Sequence, residues 1–349
     1  MRIGLMVHEP LNDQSGGYLY DRKIAEYLRK SGNDVVIYTP PFDAAQIIED
    51  DVAFLIEDEL CHQELLGFNL HLKQASSIPL IALVHHLKYL EPIFERQQEK
   101  EAETRFLEAC DAVIANSNDT SRRVHELGVE LPTVVAYPGC GLAAPDQDFT
   151  REQSRSSLNL LFVGILLPRK GTHVLLDALA ELMDYRWRLR IIGDDTLDAR
   201  YVGLLREKSL KLRDRVQFCG RVSSEELSAA YLDSDILILP SYIEGYGIVA
   251  AEAVLHLLPS IASNVGGIPE VIRDGREGIL VNPGDKSALK QALRNLFEHP
   301  EHLMPLIEGC ALRRPSLPTW AETGRVIEDF LLGFRHENTV SNISLLRTE

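Results

Sequence analysis

Glu244 and Glu252 stand eight residues apart in LPSYIEGYGIVAAE, residues 239–252, where an apolar run ends in a loop with two glycines and a helix follows. Gly245 and Gly247 carry no Cβ, so backbone N–H groups there can approach a diphosphate closely, and the helix N-terminus that follows favours negative charge. The two carboxylates then face hydroxyls rather than phosphates. Were all eight steps helical, the pair would lie roughly 12 Å apart along the axis. That spacing suits opposite ends of one extended ligand, a sugar at one and a ribose at the other. The chemistry expected of this stretch is the holding of a nucleotide sugar.

A cationic pair occupies a comparable position earlier in the chain. In FVGILLPRKG, residues 162–171, Arg169 and Lys170 lie between a strand and a helix. They fall at the carboxyl end of the sheet, where open α/β sheets bind ligands. Two cations there could neutralise a diphosphate leaving group. Gly16 and Gly17 open a helix nine residues after the first strand. They could bring N–H groups against a phosphate or sugar oxygen, or form a plain loop-to-helix junction.

Other polar groups at strand ends are weaker signals. His85 and His86 follow the apolar run IPLIALV. Asp194-Asp195 after Gly193 either borders a nucleotide or makes a turn. Asp233-Ser-Asp235 has the D-x-D spacing of metal-binding carboxylates, but it sits at a helix-to-strand junction and reads as capping and turn chemistry. HExxH, paired CxxC and G-x-S-x-G patterns are absent, so neither a metal site nor a serine hydrolase is expected. The tight G-x-G-x-x-G turn of dinucleotide folds is missing too, which argues against a nicotinamide-dependent dehydrogenase.

These residues must be positioned by an alternation of strands and helices, the pattern of α/β domains with parallel sheets. Arg2–Val7, Asp34–Tyr38, Ile78–Val84, Ala112–Ala115 and Thr133–Tyr137 read as strands, with a helix over Gly17–Ser31. Leu87–Cys110 reads as a charge-rich, solvated helical stretch with Pro92 near its start or at a break. Gly139–Ser157 is polar, contains glycine and proline, and interrupts the alternation as a linker. A second set of strands follows at Leu158–Val163, Arg188–Ile192, Val216–Phe218, Ile236–Leu239, Ser260–Ser263 and Gly278–Val281. Its helices begin near Gly171, Asp198, Ser223, Gly247, Pro269 and Asp285, and Ser223-Ser-Glu-Glu226 has the form of a capping box. After the break at Pro315–Pro318, Thr319–Phe334 reads as a last amphipathic helix. The division expected is a first domain over 1–150, a second over 151–315, and a final helix over 316–336 packing back on the first.

Composition bounds what the chain binds. At 349 residues it suits two domains, and 45% hydrophobic with 25% charged residues is an ordinary globular balance. A net charge of −16 argues against broad nucleic-acid binding. The five cysteines are scattered, odd in number and without metal-ligand spacing, which favours reduced thiols and a cytoplasmic setting. MRIGLMVHEP lacks the apolar stretch of a signal peptide, and no run of about 18 apolar residues occurs. Peripheral contact with the inner face of a membrane stays open.

Taken together, Phe162–Gly171, Ile191–Asp194, Val216–Gly220, Glu244–Glu252 and Val265–Glu270 resemble the donor-binding half of glycosyltransferase family 4. The first half resembles that family more loosely, through Gly16-Gly17, a histidine after a strand, Asn116-Ser117 and Tyr137–Gly139. The resemblance implies an α/β chain of the GT-B fold, two Rossmann-like domains facing across a cleft. It also implies a retaining, metal-independent transfer of a hexose-like sugar from a nucleoside-diphosphate sugar, with no further cofactor, to a hydroxyl acceptor that is a saccharide, lipid or small metabolite. Carried over residue by residue, Glu252 binds the ribose, and Glu244 contacts the donor sugar near its reacting face. Backbone groups around Gly245, Tyr246, Gly247 and Ile248 hold phosphate or sugar oxygens, Lys170 binds the diphosphate, and Gly193 lies in a matching donor-side segment. His85, with His86 as the alternative, is placed close to the reacting sugar. Family members often carry an arginine where this chain has Ile165, a departure that Arg169 offsets or that leaves Lys170 and backbone amides alone at the diphosphate. The departure also prompts the alternative of a sugar-nucleotide-binding protein without transferase activity.

Overall fold

The computed structural model describes residues 1–8, 16–91, 96–142 and 157–345, with 336–345 contributing backbone only. Pro92, residues 9–15 and the stretch 143–156 of the expected linker lie outside the described residues. The chain divides into two compact units, residues 1–139 together with 318 onward, and Cys140–Leu317.

The first unit alternates β1 (Arg2–Met6), α1 (Gly16–Lys30), β2 (Asp34–Tyr38), α2 (Ala44–Glu49), β3 (Phe54–Asp58), α3 (His62–Ala75), β4 (Leu80–Val84), α4 (Arg96–Glu108), β5 (Ala112–Ala115), α5 (Asn118–Glu126) and β6 (Thr133–Val135). Its strands run parallel in the order β2-β1-β3-β4-β5-β6. Successive side chains point to opposite faces of the sheet. Phe54 and Ile56 therefore enter one apolar layer and Leu55 the other, as Ile81 and Leu83 oppose Ala82 and Val84. With both faces covered, the strands read as near-continuous apolar runs.

The sequence reading passes over β3 and α3, and the reason is visible in the fold. The apolar part of β3 is short and ends in Glu57-Asp58-Glu59, charges that sequence logic assigns to solvent, yet all three are buried. The solvated helix expected over Leu87–Cys110 is corrected on the same ground. Here α4 buries Glu99, Glu103, Phe106 and Leu107, so carboxylates form much of its inward face. An apolar-stripe criterion does not register such a face.

The second unit continues with β7 (Leu158–Val163), α6 (Thr172–Ala180), β8 (Trp187–Ile192), α7 (Ala199–Leu210), β9 (Val216–Gly220), α8 (Ser224–Asp233), β10 (Ile236–Leu239), α9 (Ile248–Leu255), β11 (Ser260–Ser263), α10 (Ile268–Val271), β12 (Gly278–Val281), α11 (Lys286–Glu298) and α12 (Leu303–Arg313). All six strands are again parallel, ordered β12-β11-β10-β7-β8-β9. The capping box at Ser223 and Glu226 is formed in both directions. The last helix, α13 (Trp320–Leu345), runs beyond the expected Phe334 and sends Ile327 and Leu331 into the first unit's core beside Ile24 and Leu28 of α1.

Strand order locates the ligand end of the second sheet. Since β7 has β8 on one side and β10 on the other, the connections after β7 and β10 leave in opposite directions. They open a crevice at their carboxyl ends, where doubly wound sheets bind ligands.

Candidate functional site

The two connections at that switch point carry Lys170 and Glu244. After β7, a 3-10 turn over Pro168–Lys170 points the lysine across to the loop after β10. Lys170 Nζ lies 2.6 Å from Glu244 Oε1, and Ser241 Oγ donates to the same oxygen at 2.8 Å. Burial pushes the Glu244 carboxyl up, but the Lys170 ammonium, with Arg169 and Ser241, outweighs it and holds the group below the usual carboxylate range. The site therefore presents a half-buried, ionised pair.

Backbone contacts fix the loop that bears Glu244. Tyr242 N donates to Arg169 O at 2.7 Å and Gly267 N to Gly245 O at 2.8 Å, tying the loop to both neighbours. Gly247 has φ +91, a left-handed conformation that L side chains rarely adopt, so glycine starts α9 without backbone strain. No side chain caps α9. Its backbone ladder begins with Ala250 N donating to Gly247 O at 2.9 Å, so the amides of Ile248 and Val249 lead the helix. Such leading amides are an anion cradle.

Beside this loop, β7 and β8 meet backbone to backbone. A Cβ on Gly193 would collide with the carbonyl oxygen of Gly164. Asp194 resolves as a buried turn former: its Oδ1 accepts from Thr196 N at 2.8 Å, and its Oδ2 pairs with Arg221 at 2.7 Å. Burial raises that carboxyl, and the bonds from Thr196 and Arg221 bring it below its ordinary value. Asp195 pairs with Arg206.

Glu252 lies deeper, on α9, and is buried. Tyr231 donates its hydroxyl to Glu252 Oε2 at 3.0 Å. Burial lifts the Glu252 carboxyl to about 7 in spite of that bond and a second from the Gly141 N–H. The neighbouring Cys140 thiol is pushed up to about 12, by burial and then by the charge of Glu252. Asp233-Ser-Asp235 is engaged in the fold: Asp235 Oδ2 accepts from Asn159 N at 2.7 Å and Ser234 Oγ donates to Ala230 O at 2.7 Å.

In the first unit the structure brings Gly17 and His85 together. A Cβ on Gly17 would lie 3.4 Å from His85 Cδ2, and the Tyr20 ring stands edge-on to the imidazole at 5.3 Å. His85 Nε2 lies 2.9 Å from Asp21 Oδ1 and 3.8 Å from Asp58 Oδ1. Burial works against its charged form, but Asp21 and Asp58 overcome it and raise His85 to about 9. The backbone is latched as well, Asn116 Nδ2 donating to His85 O at 2.8 Å while Ser117 caps α5. His86 instead turns to Glu91, with Nε2 2.9 Å from Oε1.

Four partners of these groups escape a reading of the sequence: Asp21, Asp58, Tyr231 and Ser241. Asp21 does leave a signal, since it shares the Ile24, Ala25 and Leu28 stripe of α1 and so must be buried. An acid in such a stripe needs a cationic partner.

Two all-parallel six-stranded α/β units, each with polar groups at the carboxyl ends of its strands, define the GT-B class of fold. Solved structures share it. Sucrose-phosphate synthase from Thermosynechococcus elongatus superposes with a TM-score of 0.79 at 21% identity, over 95% of this chain and 98% of that one. Anabaena HepE in complex with UDP-glucose superposes at 0.76 with 19% identity, over 95% of this chain and all of its own. Residues 146–310 match the family described as Glycosyl transferases group 1, and the chain is a glycosyltransferase family 4-like protein. Among its relatives, D-inositol 3-phosphate glycosyltransferase of Streptomyces scabiei is 32% identical over 227 residues, 60% of this chain. The chain spans about half the length of that relative, 50%.

Proposed function

We propose that this protein transfers a hexose-like sugar from a nucleoside-diphosphate sugar to a hydroxyl acceptor with retention of anomeric configuration. The observation that carries this reading is the Lys170–Glu244 pair at 2.6 Å beside the uncapped N-terminus of α9. A cation and leading helix amides suit the charge that builds on a departing diphosphate, while an anion beside them suits sugar hydroxyls. The bond from the anomeric carbon to the diphosphate oxygen breaks as the acceptor oxygen bonds to the same face, and the acceptor proton passes to the departing phosphate. Lys170 and the amides then stabilise the leaving group without a metal, and Arg169 adds its charge in place of the arginine that Ile165 replaces. Glu252 takes the ribose hydroxyls, and Gly16 and Gly17 supply backbone N–H groups to the donor. Buried between two carboxylates, the His85 imidazole is suited to orient a sugar or acceptor hydroxyl rather than to act as a free base.

Among the described residues no helix is long and apolar enough to cross a membrane, so a lipid acceptor would be met by peripheral contact. Relatives named for D-inositol 3-phosphate make phosphorylated cyclitols a sensible part of the acceptor panel, beside saccharides and lipids. The test is a thermal-shift screen of UDP, GDP and ADP sugars, followed by transfer assays with the stabilising donor and NMR of the product anomer. Stabilisation by a nucleotide sugar with retained configuration is expected. Inversion, or no stabilising nucleotide sugar at all, would refute the reading.

A further inference from the structure

The first unit buries a second group of polar side chains that the His85 arrangement does not use. Glu59 lies in the 3-10 turn Glu59–Cys61, His62 opens α3, and Glu99 and Glu103 lie one turn apart on α4, so three elements converge. Glu59, His62 and Glu103 are each 0% exposed. One ligand atom from each of these three lies within 4.8 Å of the others.

The hydrogen bonding of this cluster is incomplete in a way that calls for a cation. Neither carboxylate oxygen of Glu59 has a hydrogen-bond partner, an arrangement that costs far more in a protein interior than at its surface. His62 Nδ1 lies 3.0 Å from the Glu59 carbonyl oxygen, which can only accept. The ring N–H is therefore at Nδ1, while Nε2 is a lone pair in the neutral imidazole and a second donor in the imidazolium. Nε2 stands 2.9 Å from Glu99 Oε1, an ion pair when the ring is protonated and two facing electron pairs when it is neutral. Electron pairs brought together in this way repel one another, and a bound cation would turn each repulsion into attraction.

We propose that Glu59, His62, Glu99 and Glu103 form a structural site for one divalent first-row transition cation, of the zinc or manganese type. One imidazole among carboxylates suits those ions, whereas calcium and magnesium take oxygen ligands alone. The spacing is hidden from motif searches because an E-x-x-H pair and an E-x-x-x-E pair are supplied from separate elements. Glu103 also accepts the backbone N–H groups of Lys88 at 2.5 Å and Tyr89 at 3.1 Å. An ion held there would fix the turn that directly follows His85 and His86.

A proton shared between Glu59 and Glu103 is the competing occupant, and Glu59→Gln separates the two. Full-length protein is purified without metal-affinity steps, stripped with chelator, refilled with zinc or manganese, and analysed for bound metal and thermal unfolding. Because His299, Glu301 and His302 could gather an ion at the surface, the experiment is run in a His302→Ala background. We expect one equivalent per chain and a Tm rise of about 5–10 °C at about a hundredfold excess over Kd. Magnesium should produce no such rise. Glu59→Gln should lose both the equivalent and the rise. With a shared proton alone, the same variant would be neutral or more stable without metal, since its amide N–H donates to Glu103 where the shared proton did. Cobalt(II) absorption bands that change in His62→Ala give a second readout should Glu59→Gln fail to fold. A chain that takes up no equivalent, an equivalent retained in Glu59→Gln, or cobalt bands unaltered by His62→Ala would overturn the proposal.

Discussion

Replacing Glu252 by glutamine should stabilise the free protein at pH 8 while weakening its hold on nucleotide. The carboxyl is buried and lifted from 4.5 to about 7, first by burial. For an acid whose folded value is raised, the native state keeps its proton longer than the unfolded chain, so native stability falls as pH rises from 4.5 to about 7. At about 1.4 kcal/mol per pH unit, the full loss is about 3 kcal/mol above pH 7 and under about 1 kcal/mol at pH 5. Glutamine never ionises, but it offers one acceptor oxygen where the carboxylate offered two, to Tyr231 and Gly141, a loss of about 1 kcal/mol at every pH. The net expectation is a variant about 2 kcal/mol more stable at pH 8 and within about 1 kcal/mol of the parent at pH 5. For a unit of this size that is roughly 4–8 °C in Tm at the higher pH. Ribose hydroxyls need the ionised form, so nucleotide affinity should rise with pH through 7 in the parent and fall by one to two decades in the variant, about 1.5–3 kcal/mol. Urea titrations from pH 5 to pH 9, with and without nucleotide, measure both effects. A stability difference that stays constant across that range would refute the raised carboxyl, and unchanged nucleotide affinity would remove Glu252 from the ribose.

Lys170→Ala should weaken donor binding by one to two decades, about 1.5–3 kcal/mol. It should also release the Glu244 carboxyl from its lowered value, so that the acid-side loss of stability as pH falls through that value is absent; a double-mutant cycle with Glu244→Ala reads the coupling. Glu244→Ala on its own should lower transfer more than nucleotide affinity, as steady-state rates beside a binding titration will reveal. Donor turnover should need no added magnesium or manganese and should survive Asp233→Ala; loss in EDTA that manganese reverses in the parent but not in Asp233→Ala would restore Asp233-Ser-Asp235 as a metal site. His85→Asn should cut transfer while leaving nucleotide affinity intact. Because Asp21 and Asp58 raise His85 to about 9, their contribution is present below 6.5 and lost as pH rises to about 9, and the variant should lack that alkaline decline in unfolding experiments.

What the sequence conveys well is the second unit, because its short strands carry apolar residues continuously or in alternation and are punctuated by glycine, proline or a capping residue. Gly247 and Gly193 stand out as glycines, and the structure supplies the reason in the left-handed backbone of the first and the backbone collision a Cβ would cause at the second. Lys170 and Glu244 could each be picked out, but their direct pairing depends on β7 and β10 being neighbours, which strand order decides and local pattern does not. The first unit is less legible for a different reason. Its helix α4 and the end of β3 turn carboxylates inward, and a reading built on hydrophobic periodicity assigns such residues to solvent. Asp58 is hidden in the same way, whereas Asp21 is betrayed by the apolar stripe of α1, and together they raise His85 against its burial. His86, the alternative to His85 in the sequence, differs from it in its partner, Glu91 in place of Asp21.

The chain leaves the first unit at Gly139 and returns at Pro318, and a Cβ on Gly139 would strike the backbone of Trp320. The first unit's outgoing and returning ends thus touch, and the whole span from Cys140 to Leu317 is a guest looped out of a host whose chain nearly closes on itself without it. Loop-closure entropy for the host grows only slowly with the length of the guest. A host built in this way tolerates replacement of its guest. One such guest could be exchanged for another by recombination at two adjoining points, with the packing of α1 against α13 in the host undisturbed.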